Sequence, residues 1–325
     1  MAPEPDDLHT LSNPLATISQ LSTSSSQLDG IPASLETSLR FAGAQLTQAA
    51  GILLRLPQEI IAQAIVTLYR FYLGSEGGSF RINAVKVQQP LSPSTCQDLR
   101  ILIADVKNTQ DVSAASLYLT AKISFLPQST RSVLNVYAYL LSPASSLRNP
   151  HSLHSKPDPE SYYLSEGSYQ ATKNTLLQTE SILLQSISFN TQVILPHHLA
   201  LTYLQTLGVL PPTPTEKSTA LAARTLAQLN TALLSPQMLY LTHQPPSLAV
   251  AAIYLAARQV GVKLANREWW EVFDVDREEL GFLVVGLMSC EGWMWDERER
   301  WKEELCSMSL EELDQSIRTR DADAP

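Results

Sequence analysis

The sequence has little of the chemistry on which secreted proteins, membrane proteins and zinc proteins depend. Its 325 residues include only three cysteines, Cys96, Cys290 and Cys306, which are far apart and odd in number. This pattern excludes a disulfide framework and a cysteine-based zinc site. No run of about twenty apolar residues is present, and the N-terminus lacks the basic-then-apolar pattern of a signal peptide. We therefore expect a soluble intracellular protein.

Motifs of catalysis and of cofactor binding are also missing. The chain has no Gly-x-x-x-x-Gly-Lys phosphate loop, no Gly-x-Ser-x-Gly nucleophile turn and no His-Glu-x-x-His metal motif. Its net charge of −9 is unsuited to holding a polyphosphate backbone. The sequence therefore predicts neither an enzyme, nor a cofactor or metal site, nor direct nucleic-acid binding.

Helical periodicity is what the chain does contain, and it predicts an all-α protein with two five-helix units in tandem. No segment with strict two-residue alternation is long enough to predict a sheet. The predicted organisation is a disordered Ser/Thr/Pro/Gln-rich leader over 1–33, a first unit over 34–192 with an insertion at 75–110 and a loop at 142–164, a second unit over 195–295, and an acidic tail over 296–325. The last helix of the second unit is predicted over 276–293, and the tail is expected to begin as a solvated helix.

The helix around which the first unit is organised is predicted over 111–125. It is small and apolar on every side, which is typical of a helix buried all round. Asp111 suits its N-cap and Pro127 stops it. Lys122 is its only charge after the cap. An unpaired buried ammonium is costly, so this lysine is expected either to reach water or to meet a partner.

A second segment, residues 247–258, resembles this helix. In register, Tyr118, Leu119, Ala121 and Lys122 fall on Tyr254, Leu255, Ala257 and Arg258. Helices rich in alanine and leucine also resemble each other by composition alone. The shared Tyr-Leu-x-Ala-cation pattern favours an internal duplication.

Glu180 is a second unusual charge. It lies in the middle of the apolar stripe of a helix predicted over 165–188, which closes the first unit. A carboxylate in that place requires a cation or backbone donors. The alternative is a glutamate at the edge of the stripe that reaches water, and the sequence leaves both interpretations open.

The string at 48–57, Gln-Ala-Ala-Gly-Ile-Leu-Leu-Arg-Leu-Pro, and the two central helices together resemble a cyclin. The pattern is most similar to the transcription and RNA-processing group, and within it to cyclin L-like proteins. Arg70-Phe71 matches the end of the second helix of the cyclin box. The resemblance covers roughly residues 34–295, interrupted by 75–110.

The resemblance implies a regulatory subunit that binds a cyclin-dependent protein kinase and activates it allosterically, in the nucleus, during RNA polymerase II transcription or RNA processing. It assigns Lys122 and Glu180 to hydrogen bonds with the kinase backbone. Four further residues match apolar family positions at that contact, namely Ile123, Leu126, Leu184 and Phe189. Ser124 and Phe125 replace the family's usual acidic pair, so any contact made by that pair is lost.

Two other functions are compatible with a duplicated helical fold. One is a TFIIB-like basal transcription factor, which needs a zinc ribbon and basic faces that this sequence lacks. The other is a helical scaffold without a kinase partner. Recovery of an active kinase with the chain would exclude the scaffold.

Overall fold

The computed structural model describes residues 12–22, 33–73, 97–142, 145, 162–211, 213, 215–264 and 268–307. Every regular element in these ranges is a helix, so the predicted all-α fold is confirmed. None of the helices in these ranges is both long enough and apolar enough to cross a membrane.

The described helices fall into two compact units. The N-terminal unit comprises Ser22–Asn190 and the residues from Trp295, and the C-terminal unit comprises Thr191–Met294 and the residues up to Leu21. The N-terminal unit holds α2 (Ala33–Leu53), α3 (Gln58–Leu73), α4 (Gln97–Ile123), α5 (Thr130–Leu141) and α6 (Glu166–Ser186). The other helices are α1 (Ile18–Ser22), α7 (Pro196–Thr206), α8 (Glu216–Ala232), α9 (Leu239–Thr242), α10 (Pro245–Val260), a 3-10 helix (Trp269–Phe273) and α11 (Arg277–Ser307).

Helix α4 is the central helix of the N-terminal unit and packs against α2, α3 and α6. It begins at Gln97, so the prediction that Asp111 caps it is wrong, and residues 97–110 of the predicted insertion are helical. The physical reason is that the stretch from Gln97 to Asp111 contains neither proline nor glycine, so no helix-breaking residue interrupts it. Residues 74–96 of the region lie outside the described ranges.

A chain of hydrogen bonds crosses the core of the N-terminal unit. The Thr47 hydroxyl donates to the Gly43 carbonyl at 2.8 Å and lies 2.7 Å from the Ser113 hydroxyl, which lies 2.7 Å from the Tyr137 hydroxyl. A hydroxyl has one proton to donate, so the bonds run from Tyr137 through Ser113 and Thr47 to Gly43. Burial raises the pKa of Tyr137, which keeps the phenol neutral. Polar groups on the central helix are thereby satisfied inside an apolar core.

Gly51 allows α2 and α3 to approach each other closely. A Cβ atom at this position would lie 2.5 Å from Cγ1 and 2.8 Å from Cδ1 of Ile61 on α3. Four residues further on, Arg55 has a φ of 55° and the Leu56 amide donates to the Gly51 carbonyl at 3.0 Å. This closing turn ends α2 and directs the chain into α3.

Helix α10 has the same central place in the C-terminal unit, where it packs against α7 and α8. Its alanines are buried, and Gly261, with a φ of 75°, ends it. In the same unit Trp269 is buried, with its ring edge-on to Trp270 and Phe273. Both central helices are thus built from small residues, as the duplicated pattern predicts.

The two terminal segments differ from the predictions. Within the predicted disordered leader, residues 12–22 are structured, and those up to Leu21 belong to the C-terminal unit. Helix α11 continues past Trp293 to Ser307, and Glu297 in the predicted solvated tail is buried and accepts a hydrogen bond from the Ser38 hydroxyl of α2. The prediction of a solvated helix is therefore wrong at Glu297. Loop residues 146–161 lie outside the described ranges.

Candidate functional site

The two unusual charges of the sequence meet in the N-terminal unit. The Lys122 ammonium, at the C-terminal end of α4, donates to a carboxylate oxygen of Glu180 on α6 at 3.0 Å. The Glu180 side chain is only 6% exposed, whereas that of Lys122 is 53% exposed. The interpretation that Glu180 reaches water is therefore wrong, because the carboxylate is held in the packed face between two helices and its cation is the partly solvated member.

The pair keeps Lys122 charged. The hydrogen bond that Lys122 donates to Glu180 is the main cause that raises the pKa of Lys122, and partial burial opposes it. The ring of Tyr118, one turn earlier on α4, lies 5.6 Å from the ammonium and adds a weak cation–π attraction. An ammonium has three N–H donors, and its bond to Glu180 uses one of them. Because the Lys122 side chain is half-exposed, the ammonium is accessible to a binding partner from solvent.

Apolar side chains follow the lysine directly. Helix α4 ends at Ile123, and the next turn is fixed by the Ser124 hydroxyl, which donates to the Ala121 carbonyl and accepts from the Leu126 amide. Ile123, Phe125 and Leu126 are all exposed. Three solvent-facing apolar residues beside a charge pair are typical of an interaction surface rather than of a core.

Phe189 adds a fourth exposed apolar side chain after the end of α6. Its side chain is 68% exposed, and both Ser188 (φ 51°) and Phe189 (φ 60°) have left-handed backbone conformations. Consecutive non-glycine residues seldom adopt this region, and such strain is often associated with function. The turn is closed by a 2.8 Å bond from the Phe189 amide to the Leu184 carbonyl and braced by a bond from Arg70 to the Asn190 carbonyl. We call Ile123, Phe125, Leu126 and Phe189 the apolar rim.

The proteins that this chain resembles include cyclins of one group, although no family model matches it. It is 30% identical to human cyclin-L2 over 283 residues, which is 86% of this chain and 45% of that protein. It is 28% identical to cyclin-L1 of Danio rerio over 270 residues, which is 83% of this chain and 45% of that protein. The resemblance to the cyclin family is confirmed.

A solved structure has the same cyclin fold. Superposition on a chain from the crystal structure of the yeast RNA polymerase II CTD kinase CTDK-1 complex has a TM-score of 0.60 at 13% identity, and covers 88% of this chain and 76% of that one. At such an identity the likeness establishes the fold alone. The chain spans about 45% of the length of the two cyclin L relatives.

On this cyclin fold, the site residues predicted from the sequence have different environments. Lys122 and Glu180 are in contact. Ile123, Leu126 and Phe189 are exposed, whereas Leu184 is half-buried and contributes partly to the packing of α6. The kinase contact assigned to these six residues stays a prediction.

Two features of the candidate site were not predicted from the sequence. In the sequence, Phe125 stands out only as a departure from the family's acidic pair, yet its exposure adds it to the apolar rim. The left-handed turn at Ser188 and Phe189 has no signal in the sequence, since neither residue type is typical of that conformation. No cluster of His, Cys, Asp or Glu suited to a metal ion occurs in the described part of the chain.

Proposed function

We propose that the chain is a regulatory cyclin subunit that binds and allosterically activates a cyclin-dependent serine/threonine protein kinase, without catalysing a reaction itself. The observation that carries this proposal is the Lys122–Glu180 pair, which combines a half-exposed ammonium with a buried carboxylate, next to the exposed Ile123, Phe125 and Leu126 that follow the lysine in the chain. A charged pair bordered by exposed apolar residues provides both the orientation and the buried area that a protein partner requires.

The physical roles in this mechanism are distinct. The remaining donors of Lys122 bind backbone carbonyls of the kinase, and Glu180 keeps the lysine in place while it accepts hydrogen bonds from backbone amides. The apolar rim buries its exposed area against the kinase helix that carries the glutamate of the ATP-positioning ion pair. A cyclin that binds the active position of this helix more tightly than the inactive one shifts the kinase towards activity.

A nuclear role in RNA polymerase II transcription or RNA processing is the finer part of the proposal. It is supported by the similarity to cyclin L proteins and by the shared fold with a chain of a complex described as an RNA polymerase II CTD kinase. Direct nucleic-acid binding is not part of this function. A TFIIB-like activity would require basic faces, whereas the chain has a net charge of −9.

The test is recovery of kinase activity from nuclear extract with the immobilised chain, measured on a peptide from the RNA polymerase II tail. We expect activity with the wild type and its loss with the double variant Lys122→Ala/Glu180→Ala. The matched control is Arg131→Ala/Glu166→Ala, which removes another ion pair of the same unit, 2.9 Å long and exposed on both sides. Thermal unfolding of all three proteins verifies that each is folded.

The outcomes separate the function from the site. Equal activity with the wild type and the Lys122/Glu180 double variant would retain a kinase-binding cyclin but refute the assigned contact. Absence of kinase from the folded wild type would refute the proposal and leave a helical scaffold. Loss of activity with the Arg131/Glu166 control as well would show that the assay responds to general damage of the unit.

A further inference from the structure

A short segment near the N-terminus, Asn13 to Thr17, is bound by the C-terminal unit through the side chain of an asparagine. Asn13 is only 6% exposed. Its amide nitrogen donates to the Ile194 carbonyl at 2.7 Å, and its amide oxygen accepts from the Ile194 N–H at 2.9 Å. The side chain thus pairs with both backbone groups of one residue that is distant in the sequence.

A second amide binds the backbone of the same asparagine. The Asn13 N–H donates to the side-chain oxygen of Gln244 at 3.0 Å, and the side-chain nitrogen of Gln244 donates to the Asn13 carbonyl at 3.0 Å. Three residues on, the Ala16 N–H donates to the Leu241 carbonyl at 2.7 Å. The backbone N–H and C=O of Asn13 and both polar atoms of its side chain therefore each have at least one hydrogen-bond partner.

This geometry selects for asparagine. The backbone of Ile194 presents one donor and one acceptor, and only a primary amide offers the matching acceptor and donor together. Aspartate would place a carboxylate against the Ile194 carbonyl, and alanine would leave both backbone groups of Ile194 without this partner. Glutamine has the same amide on a longer side chain. Proline at position 14 is compatible with the site, because the bonds use the N–H groups of residues 13 and 16 and not that of residue 14.

The receiving groups lie in or next to helices. Gln244 is the residue immediately before α10, and Leu241 lies in α9. Both belong to the C-terminal unit, as does Ile194 just before α7. The groups that bind the segment therefore lie in helices of the C-terminal unit or within two residues of one.

We propose that the C-terminal unit contains a peptide-binding site that is specific for asparagine in a non-helical segment, and that residues 12–17 occupy this site intramolecularly. The ligand class is a non-helical peptide with an asparagine followed by a residue that needs no amide partner. Because the occupant is tethered on the same chain, its effective concentration is high and a free peptide competes poorly until the tethered one is released. The site does not depend on kinase binding.

The first experiment tests whether Asn13 anchors the segment, by hydrogen–deuterium exchange of the full-length chain. We expect the amides of Ala16 and Ile194 to be protected in the wild type and to exchange at least tenfold faster in Asn13→Ala. The matched control is Ile18→Ala in α1, directly after the segment, where the residue is 85% exposed, and its exchange should equal that of the wild type. Unchanged protection in Asn13→Ala would overturn the proposal.

The second experiment tests the site with a separate ligand. A fluorescent peptide with the sequence of residues 10–22 is titrated into full-length Asn13→Ala and into the wild type, and its polarisation is measured. We expect binding to the variant that is at least tenfold tighter than to the wild type, whose site is occupied. A peptide with Asn13→Asp should bind the variant at least tenfold more weakly, because it lacks one donor and confronts the Ile194 carbonyl with a charge.

Each other outcome overturns a stated part of the proposal. If the variant has lost protection at Ala16 and Ile194 but does not bind the peptide, the segment is a part of the fold and not a ligand. If the unaltered peptide and the peptide with Asn13→Asp bind equally, the site binds peptide but is not specific for asparagine. Neither result would affect the kinase proposal, which rests on the N-terminal unit.

Discussion

Replacement of Phe189 by asparagine should separate stability from partner binding. Phe189 is 68% exposed and has a φ of 60°. Full burial of a phenylalanine side chain stabilises a protein by about 1.5–3 kcal/mol, so the third of this ring that is buried contributes roughly 0.5–1 kcal/mol. Asparagine tolerates the left-handed conformation better, which returns up to about 1 kcal/mol of strain. The two effects oppose each other.

We therefore expect the free energy of unfolding of Phe189→Asn, measured by urea denaturation, to lie within about 1 kcal/mol of the wild-type value. In the same preparation, the kinase activity recovered from nuclear extract should fall at least tenfold, because an exposed ring at an interface contributes mainly to the complex. The matched control is Phe282→Asn, which removes an exposed phenylalanine of the C-terminal unit and should leave recovery unchanged.

Two results would refute this reasoning. A loss of stability well above about 2 kcal/mol would show that Phe189 is a packing residue whose exposure is irrelevant to function. A stable variant that recovers as much kinase activity as the wild type would show that the strained turn does not present the ring to a partner.

Two further predictions concern the N-terminal unit. Gly51→Ala should destabilise the fold by about 1–3 kcal/mol in urea denaturation, because the new Cβ overlaps Ile61. The control is Gly167→Ala, which has no atom within 4 Å of its Cβ and should not be destabilising. Equal effects of the two substitutions would refute the close-packing argument. Lys122→Met should lower stability at neutral pH. Since the bond to Glu180 raises the pKa of Lys122, the difference in stability from the wild type should be constant between about pH 7 and about pH 10.4 and shrink as pH rises through the raised value. A difference that grows with pH would refute the pairing.

The sequence was informative wherever a residue contradicted its local pattern. Lys122 and Glu180 are charges in otherwise apolar stripes, and such a charge needs a partner whatever the tertiary structure is. The two charges were therefore identifiable separately, and the structure brings them to 3.0 Å. That they meet each other was not predictable from periodicity, which describes one helix at a time and leaves the distance between two helices open.

The features that the sequence did not predict depend on contacts between distant residues. Asn13 lies in a polar, Ser/Thr-rich stretch whose composition is typical of disorder, yet its amide finds a partner 181 residues away. Glu297 looks solvated among acidic neighbours, but it accepts a hydrogen bond from Ser38 on α2. Neither contact produces a periodic pattern, because single tertiary hydrogen bonds have no repeat along the chain.

The buried hydrogen-bond chain from Tyr137 through Ser113 to Thr47 has a consequence for the orientation of Lys122. A helix covered with alanine and other small residues has a nearly smooth surface, and dispersion contacts on such a surface resist rotation about the helix axis only weakly. Hydrogen bonds are directional, so the bonds of Ser113 to α2 and α5 fix the azimuth of α4. Lys122 lies about two and a half turns further along the same rigid helix. The direction in which the Lys122 side chain leaves α4 is thus determined by the hydrogen bonds of Ser113, which lies on the opposite face of the helix.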